Sequence, residues 1–189
     1  MFAHHALGRI ALAQGNVKTA LDHFRAAQEL PDSLGAGLWN EVLLVPHQYF
    51  EAVCLEALGD SENARALYDH ILILKKDYFS DMNLPELPAW QAAVRIRLGQ
   101  NAAAQDVLAA HLRLTQASRD VVGAGYAKST PFFISYMENP QSLRTASSDW
   151  QTAMIYWAGG DKAQAAAYAE KSLRGEAGNL YARLLTMKL

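Results

Sequence analysis

Four glycines in this chain carry the same neighbours at the same distances. Gly15, Gly59, Gly99 and Gly160 are each followed at once by a polar turn former (Asn16, Asp60, Gln100, Asp161) and, five residues on, by an alanine (Ala20, Ala64, Ala104, Ala165). Seven residues before each glycine stands another small residue: Gly8, Ala52, Ala92 and Ala153. A glycine that ends one helix, a residue that caps the next, and small side chains on both flanks describe a helix–turn–helix unit used repeatedly. Small residues on facing helices let their backbones approach closely, and a larger residue one turn on fills the next groove. Such a pattern constrains the architecture strongly and the ligand hardly at all.

Composition agrees with a packed helical domain. Apolar residues make up 51% of 189 residues, enough for a sizeable core. The formal net charge of -2 argues against a nucleic-acid footprint, and no run of like charge marks a membrane surface. No stretch approaches the roughly 18 apolar residues of a membrane span. The lone cysteine, Cys54, lies between Val53 and Leu55 and reads as a small buried hydrophobe. One thiol without a bridge fits a reducing compartment, so the expected location is the cytoplasm. The first repeat starts almost at Met1 with no polar capping element before it, so the chain is expected to be a piece of a longer protein.

Along the chain, helices are predicted over 2–14, 17–30, 47–58, 61–75, 89–98, 102–118, 148–158 and 162–173, with a last helix near 178–188. The units run approximately 2–30, 46–75, 87–118 and 147–173. Pro31 stops the second helix, and Pro46 closes an insert over 32–45 that has some helical character. Residues 76–88, with two prolines, read as a loop. A second insert, 119–146, contains Gly123, Gly125, Pro131 and Pro140. The repeat glycines are 44, 40 and 61 residues apart, whereas a tight array of such units repeats every 34 or so; the excess falls in the connectors.

The unit resembles the tetratricopeptide repeat. The first copy carries the resemblance best, through Leu7-Gly8, Gly15, Ala20, Phe24, Ala27 and Pro31. The second has Ala52, Gly59, Ala64 and Tyr68; the third Ala92, Gly99, Ala104 and Leu108; the fourth Ala153, Gly160, Ala165 and Ala169. The resemblance implies an all-α, right-handed α-solenoid of four degenerate helix pairs, with two inserts and a C-terminal capping helix. The stretch Leu38 to Pro46 and the Pro131-Phe132-Phe133 insert are similar to the C-terminal helical part of large multidomain bacterial tetratricopeptide proteins of unassigned function. Their N-terminal parts are similar to carbohydrate-active modules.

In this family the first helix of each unit lines an inner face that grips an extended peptide or helix. By position the resemblance points to His5, Arg9, Leu12 and Ala13, then Tyr49, Val53, Glu56 and Ala57. It continues with Ala89, Ala93, Ile96 and Arg97, and ends with Trp150, Met154, Trp157 and Ala158. The family's carboxylate clamp needs lysine and asparagines where this chain has His5, Arg9, Phe50 and Val53, so the clamp is not implied. The expected function is a non-catalytic protein–protein interaction or scaffold module whose groove takes a protein or peptide, or the chain's own missing domains. The alternatives are a helical accessory domain of a carbohydrate-processing enzyme and a self-association scaffold.

Other chemistry finds little support. His4 and His5 are adjacent on a helix and point about 100° apart, so they do not ligate one metal together. No H-E-x-x-H spacing exists. Asp77, Asp81, Asn83 and Glu86 lack the glycine and spacing of a calcium loop. Gly35-Ala36-Gly37 and Gly123-Ala124-Gly125 follow no strand and read as breakers rather than phosphate cradles. No serine–histidine–acid set has an elbow motif. Catalytic residues, cofactors and metals are therefore expected to be none.

Overall fold

The structure, a computed structural model, describes residues 1–29, 41–75, 84–119 and 140–187. Among them every regular element is helical. Pro31, the Gly35 and Gly123 breakers, Asp77 to Asn83 and the Pro131–Phe133 stretch lie outside the described residues.

The helices are α1 (Phe2–Ala13), α2 (Val17–Ala26), α3 (Val45–Ala57), α4 (Ser61–Ile73), α5 (Leu87–Arg97), α6 (Asn101–Arg119), α7 (Pro140–Ala158), α8 (Lys162–Gly175) and α9 (Leu180–Thr186). A short 3₁₀ turn, Glu41–Leu44, leads directly into α3. The chain divides into two compact units, residues 1–104 and 105–188, with the boundary inside α6.

The four repeat glycines make one turn four times. Each adopts positive φ, between 74° and 86°, a conformation that an L side chain resists. The amide after each glycine donates to the carbonyl five residues back: Asn16 to Ala11, Asp60 to Leu55, Gln100 to Arg95 and Asp161 to Tyr156. The glycine amides donate three residues back, to Leu12, Glu56, Ile96 and Trp157. This pair of bonds is the Schellman closure, which satisfies carbonyls left over at a helix end. Asp60 and Asp161 then accept from Asn63 N and Gln164 N and so cap α4 and α8. Asn16 departs from expectation. It occupies the capping position of α2 without a side-chain hydrogen bond.

All of the small repeat positions are buried. Gly8, Ala52, Ala92 and Ala153 are inside, as are Ala20, Ala64, Ala104 and Ala165. So are the groove-filling positions Phe24, Tyr68, Leu108 and Ala169.

Three helix starts differ from the sequence reading. Pro46 lies in the first turn of α3 and Pro88 in the first turn of α5. Proline is tolerated there because the first amides of a helix have no internal acceptor. In α7 the helix begins at Pro140 and runs 19 residues, so 140–146 is helix rather than insert.

In the first unit the core is aromatic. Phe24 and Phe50 stack at 5.3 Å, Trp90 meets Tyr49 at 5.4 Å, and Tyr49 meets Phe50 edge-on at 5.2 Å. Aromatic pairs at these distances add stability beyond their buried area. α4 lacks a glycine stop. Instead the Gln91 amide of α5 donates to the carbonyls of Ile71, Leu72 and Leu74. In the second unit α7 packs along α8 through alanines, with Tyr156 stacked on Tyr168 at 5.5 Å. Trp150 of α7 stacks on Tyr181 of α9.

Candidate functional site

In the first unit the predicted site residues fall on α1, α3 and α5. The structure joins several of them through an aromatic and charged chain. The Arg9 guanidinium sits 4.5 Å from the centre of the Phe50 ring. A cation over an aromatic face is attracted to the ring's negative centre. Burial lowers the Arg9 pKa to about 10, partly offset by nearby Tyr49. Tyr49 is itself buried, which raises its phenol pKa, while Arg97 pulls it down by charge and by a hydrogen bond.

Arg97 and Glu56 close the other end. Arg97 Nη1 lies 3.1 Å from Glu56 Oε2, and the Tyr68 hydroxyl donates to the same oxygen at 3.1 Å. Burial works against the Arg97 charge, yet Tyr49, Tyr68 and Glu56 outweigh it and hold its pKa above the ordinary value. Beside this network is a cleft of about 240 Å³ lined by Glu56, Ser61, Ala64, Arg65, Tyr68, Arg97 and Leu98. Both Glu56 and Arg97 are about two-fifths exposed. The pair is therefore fixed in place yet open to a ligand's polar groups.

The other predicted residues are placed differently. His5 is fully buried, with its Nδ1 2.9 Å from Nδ1 of His47 and its ring edge-on to Phe24 and Phe50. Val53 is half-buried. In the second unit Trp150 and Met154 are buried in packing, while Trp157 is half-buried. Trp150 and Met154 thus contribute core rather than surface. The signal that selected them, apolar residues on the first helix of a unit, is the same for a groove and for a helix packed on both sides.

His4 and His5, read as diverging, do take different partners. His4 Nδ1 meets His23 Nδ1 at 3.1 Å, whereas His5 meets His47. Burial lowers the pKa of His5 to about 2, helped by His47 and Arg9, and that of His47 to about 4. Both are neutral at pH 7, so one ring of the pair donates to the other. Among the described residues no three His, Cys, Asp or Glu side chains are placed to hold a metal ion. Cys54 is buried, and its thiol pKa is pushed up to about 11 by burial and by Glu51. Such a thiol is unreactive at neutral pH. No described helix is long and apolar enough to cross a membrane.

Comparison with known proteins places the likeness at the N-terminal helix pair. The tetratricopeptide repeat family model matches residues 1–26, which hold α1, the Gly15 turn and α2. Neither the curated proteins nor the solved structures give a match. The match over the first helix pair supports a tetratricopeptide-repeat relationship for this chain.

Proposed function

We propose that this chain is a non-catalytic interaction module. In this reading its helix pairs stack as a right-handed solenoid, and the first helices of the units present a face to a protein segment. The observation that carries it is the Glu56–Arg97–Tyr68 network beside the 240 Å³ cleft. It joins one part-exposed anion and one part-exposed cation from separate helices, with the buried Tyr68 donating its hydroxyl beneath them. Such a patch suits an extended or helical segment that brings a few charged or polar anchors, because arginine contacts weigh heavily in binding energy. The reading assigns the chain no chemistry of its own.

A photo-crosslinker placed at Val53 tests it. The partner is expected to crosslink from Val53 and to be lost when Arg97→Glu is added. The same crosslinker at exposed Glu62 on α4 is the control. Identical crosslinked species from both positions, or no change on Arg97→Glu, would refute the groove.

A further inference from the structure

The second unit holds a cleft of about 510 Å³, larger than the 240 Å³ cleft beside Glu56 and Arg97, and it is cationic. Its wall carries three cations, Arg119, Lys171 and Arg174, against one carboxylate, Asp149. That carboxylate is committed. Asp149 is buried and holds Arg119 Nη1 at 2.7 Å, a charge-assisted contact that fixes the guanidinium at the rim. Lys171 rests over the ring of Tyr168 at 4.0 Å, and Arg174 has no ion pair among the described residues. Two positive charges therefore remain without a counter-ion among the described residues in one concavity.

The first turn of α7 forms another part of the wall, through Ser142. It contains no acidic side chain, and the amino end of a helix favours anions. The walls are brought together by a close approach. A Cβ on Gly175 would stand 2.9 Å from Ala146 Cβ and 3.0 Å from the Ser142 carbonyl oxygen. Only glycine lets the end of α8, with its two cations, lie against the start of α7.

We propose that this cleft binds a phosphoryl oxyanion, with Lys171 and Arg174 as its charged contacts and Ser142 as a neutral donor. Arginine's fork and lysine's point charge both match a phosphate's clustered oxygens. The phosphoryl group comes either as free phosphate or on a phosphorylated side chain.

Amide NMR titration at constant ionic strength tests this, with inorganic phosphate and with a phosphoserine peptide beside its unphosphorylated form. Saturable shifts are expected at residues 141–146 and 171–175, with a dissociation constant on the order of 1 mM for phosphate. Arg174→Glu should weaken binding about tenfold or more, the size of a lost charge-assisted contact. Arg113→Glu, an equal charge change at an exposed α6 position, should leave it unchanged. Tighter binding of the phosphopeptide identifies a phosphorylated side chain as the source; binding of phosphate alone identifies the free ion. Linear, unsaturated shifts overturn the proposal. So does an equal effect of the two variants, or saturable binding of the phosphorylated and plain peptides with the same affinity. Because α8's cations also complement its own carboxyl end, loss of stability in Arg174→Glu without any phosphate saturation in the wild type counts against the site.

Discussion

Gly8 of α1 and Phe24 of α2 are packed so closely that a methyl group on Gly8 would lie 2.8 Å from the Phe24 ring. Phe24 is fully buried and stacks onward against Phe50. The ring is therefore pinned on its far side and has no room to retreat. Gly8→Ala should cost about 1–3 kcal/mol, as overpacking of a tight core does. Gly15→Ala is the informative partner. Its Cβ would meet nothing within 4 Å, but its φ is +80°, so the cost is backbone strain of about 1–2 kcal/mol. Urea denaturation of both measures this. A neutral Gly8→Ala would show that the two helices are further apart.

The buried His5–His47 pair makes stability depend on pH. Both pKa values are lower in the folded chain than the ordinary 6.5. Below that value the unfolded chain takes up protons that the folded chain refuses. The stabilisation is thus complete above about pH 6.5. It is lost as pH falls, through about 4 for His47 and lower still for His5. Between pH 7 and 5 the unfolding free energy should drop by about 4 kcal/mol for the two rings together. A flat profile over that range would mean that the pair is solvated.

Gln91 replaces a glycine cap at the end of α4. Its amide donates to the carbonyls of Ile71, Leu72 and Leu74. Gln91→Leu should leave those acceptors without a donor and cost about 1–3 kcal/mol. Hydrogen exchange should quicken selectively in the last turn of α4. Unchanged exchange there would assign the capping to water.

The repeat was legible from sequence because its signals are local. A glycine forced to positive φ and small residues seven before and five after it are visible within one helical hairpin. The same locality explains the failures. Pro46 and Pro88 read as breakers, but the first turn of a helix accepts proline. Asn16 has the right chemistry for a cap without making its bond. Residues 140–147 carry a proline and several serines and threonines, weak helix formers, yet they extend α7. The site was legible only in part. Glu56, Arg97 and Tyr49 were marked by their positions on first helices, and they meet. His47, 42 residues from His5, and the Arg119–Asp149 contact join distant segments, so no spacing rule reveals them. Gly175 lies outside the four-fold pattern, and its role follows only from the approach of α8 to α7.

The most direct test of the account is melting followed by circular dichroism for three alanine variants. Ala52 and Ala153 are fully buried at equivalent repeat positions, whereas Ala109 is exposed on α6. Ala52→Glu and Ala153→Glu each bury a carboxylate at a tight helix contact, costing several kcal/mol. Each should lower the melting temperature by more than about 10 °C or abolish the cooperative transition. Ala109→Glu should melt with the wild type. If Ala52→Glu and Ala153→Glu also melted with the wild type, the small residues would not be the contacts that hold the helix pairs together.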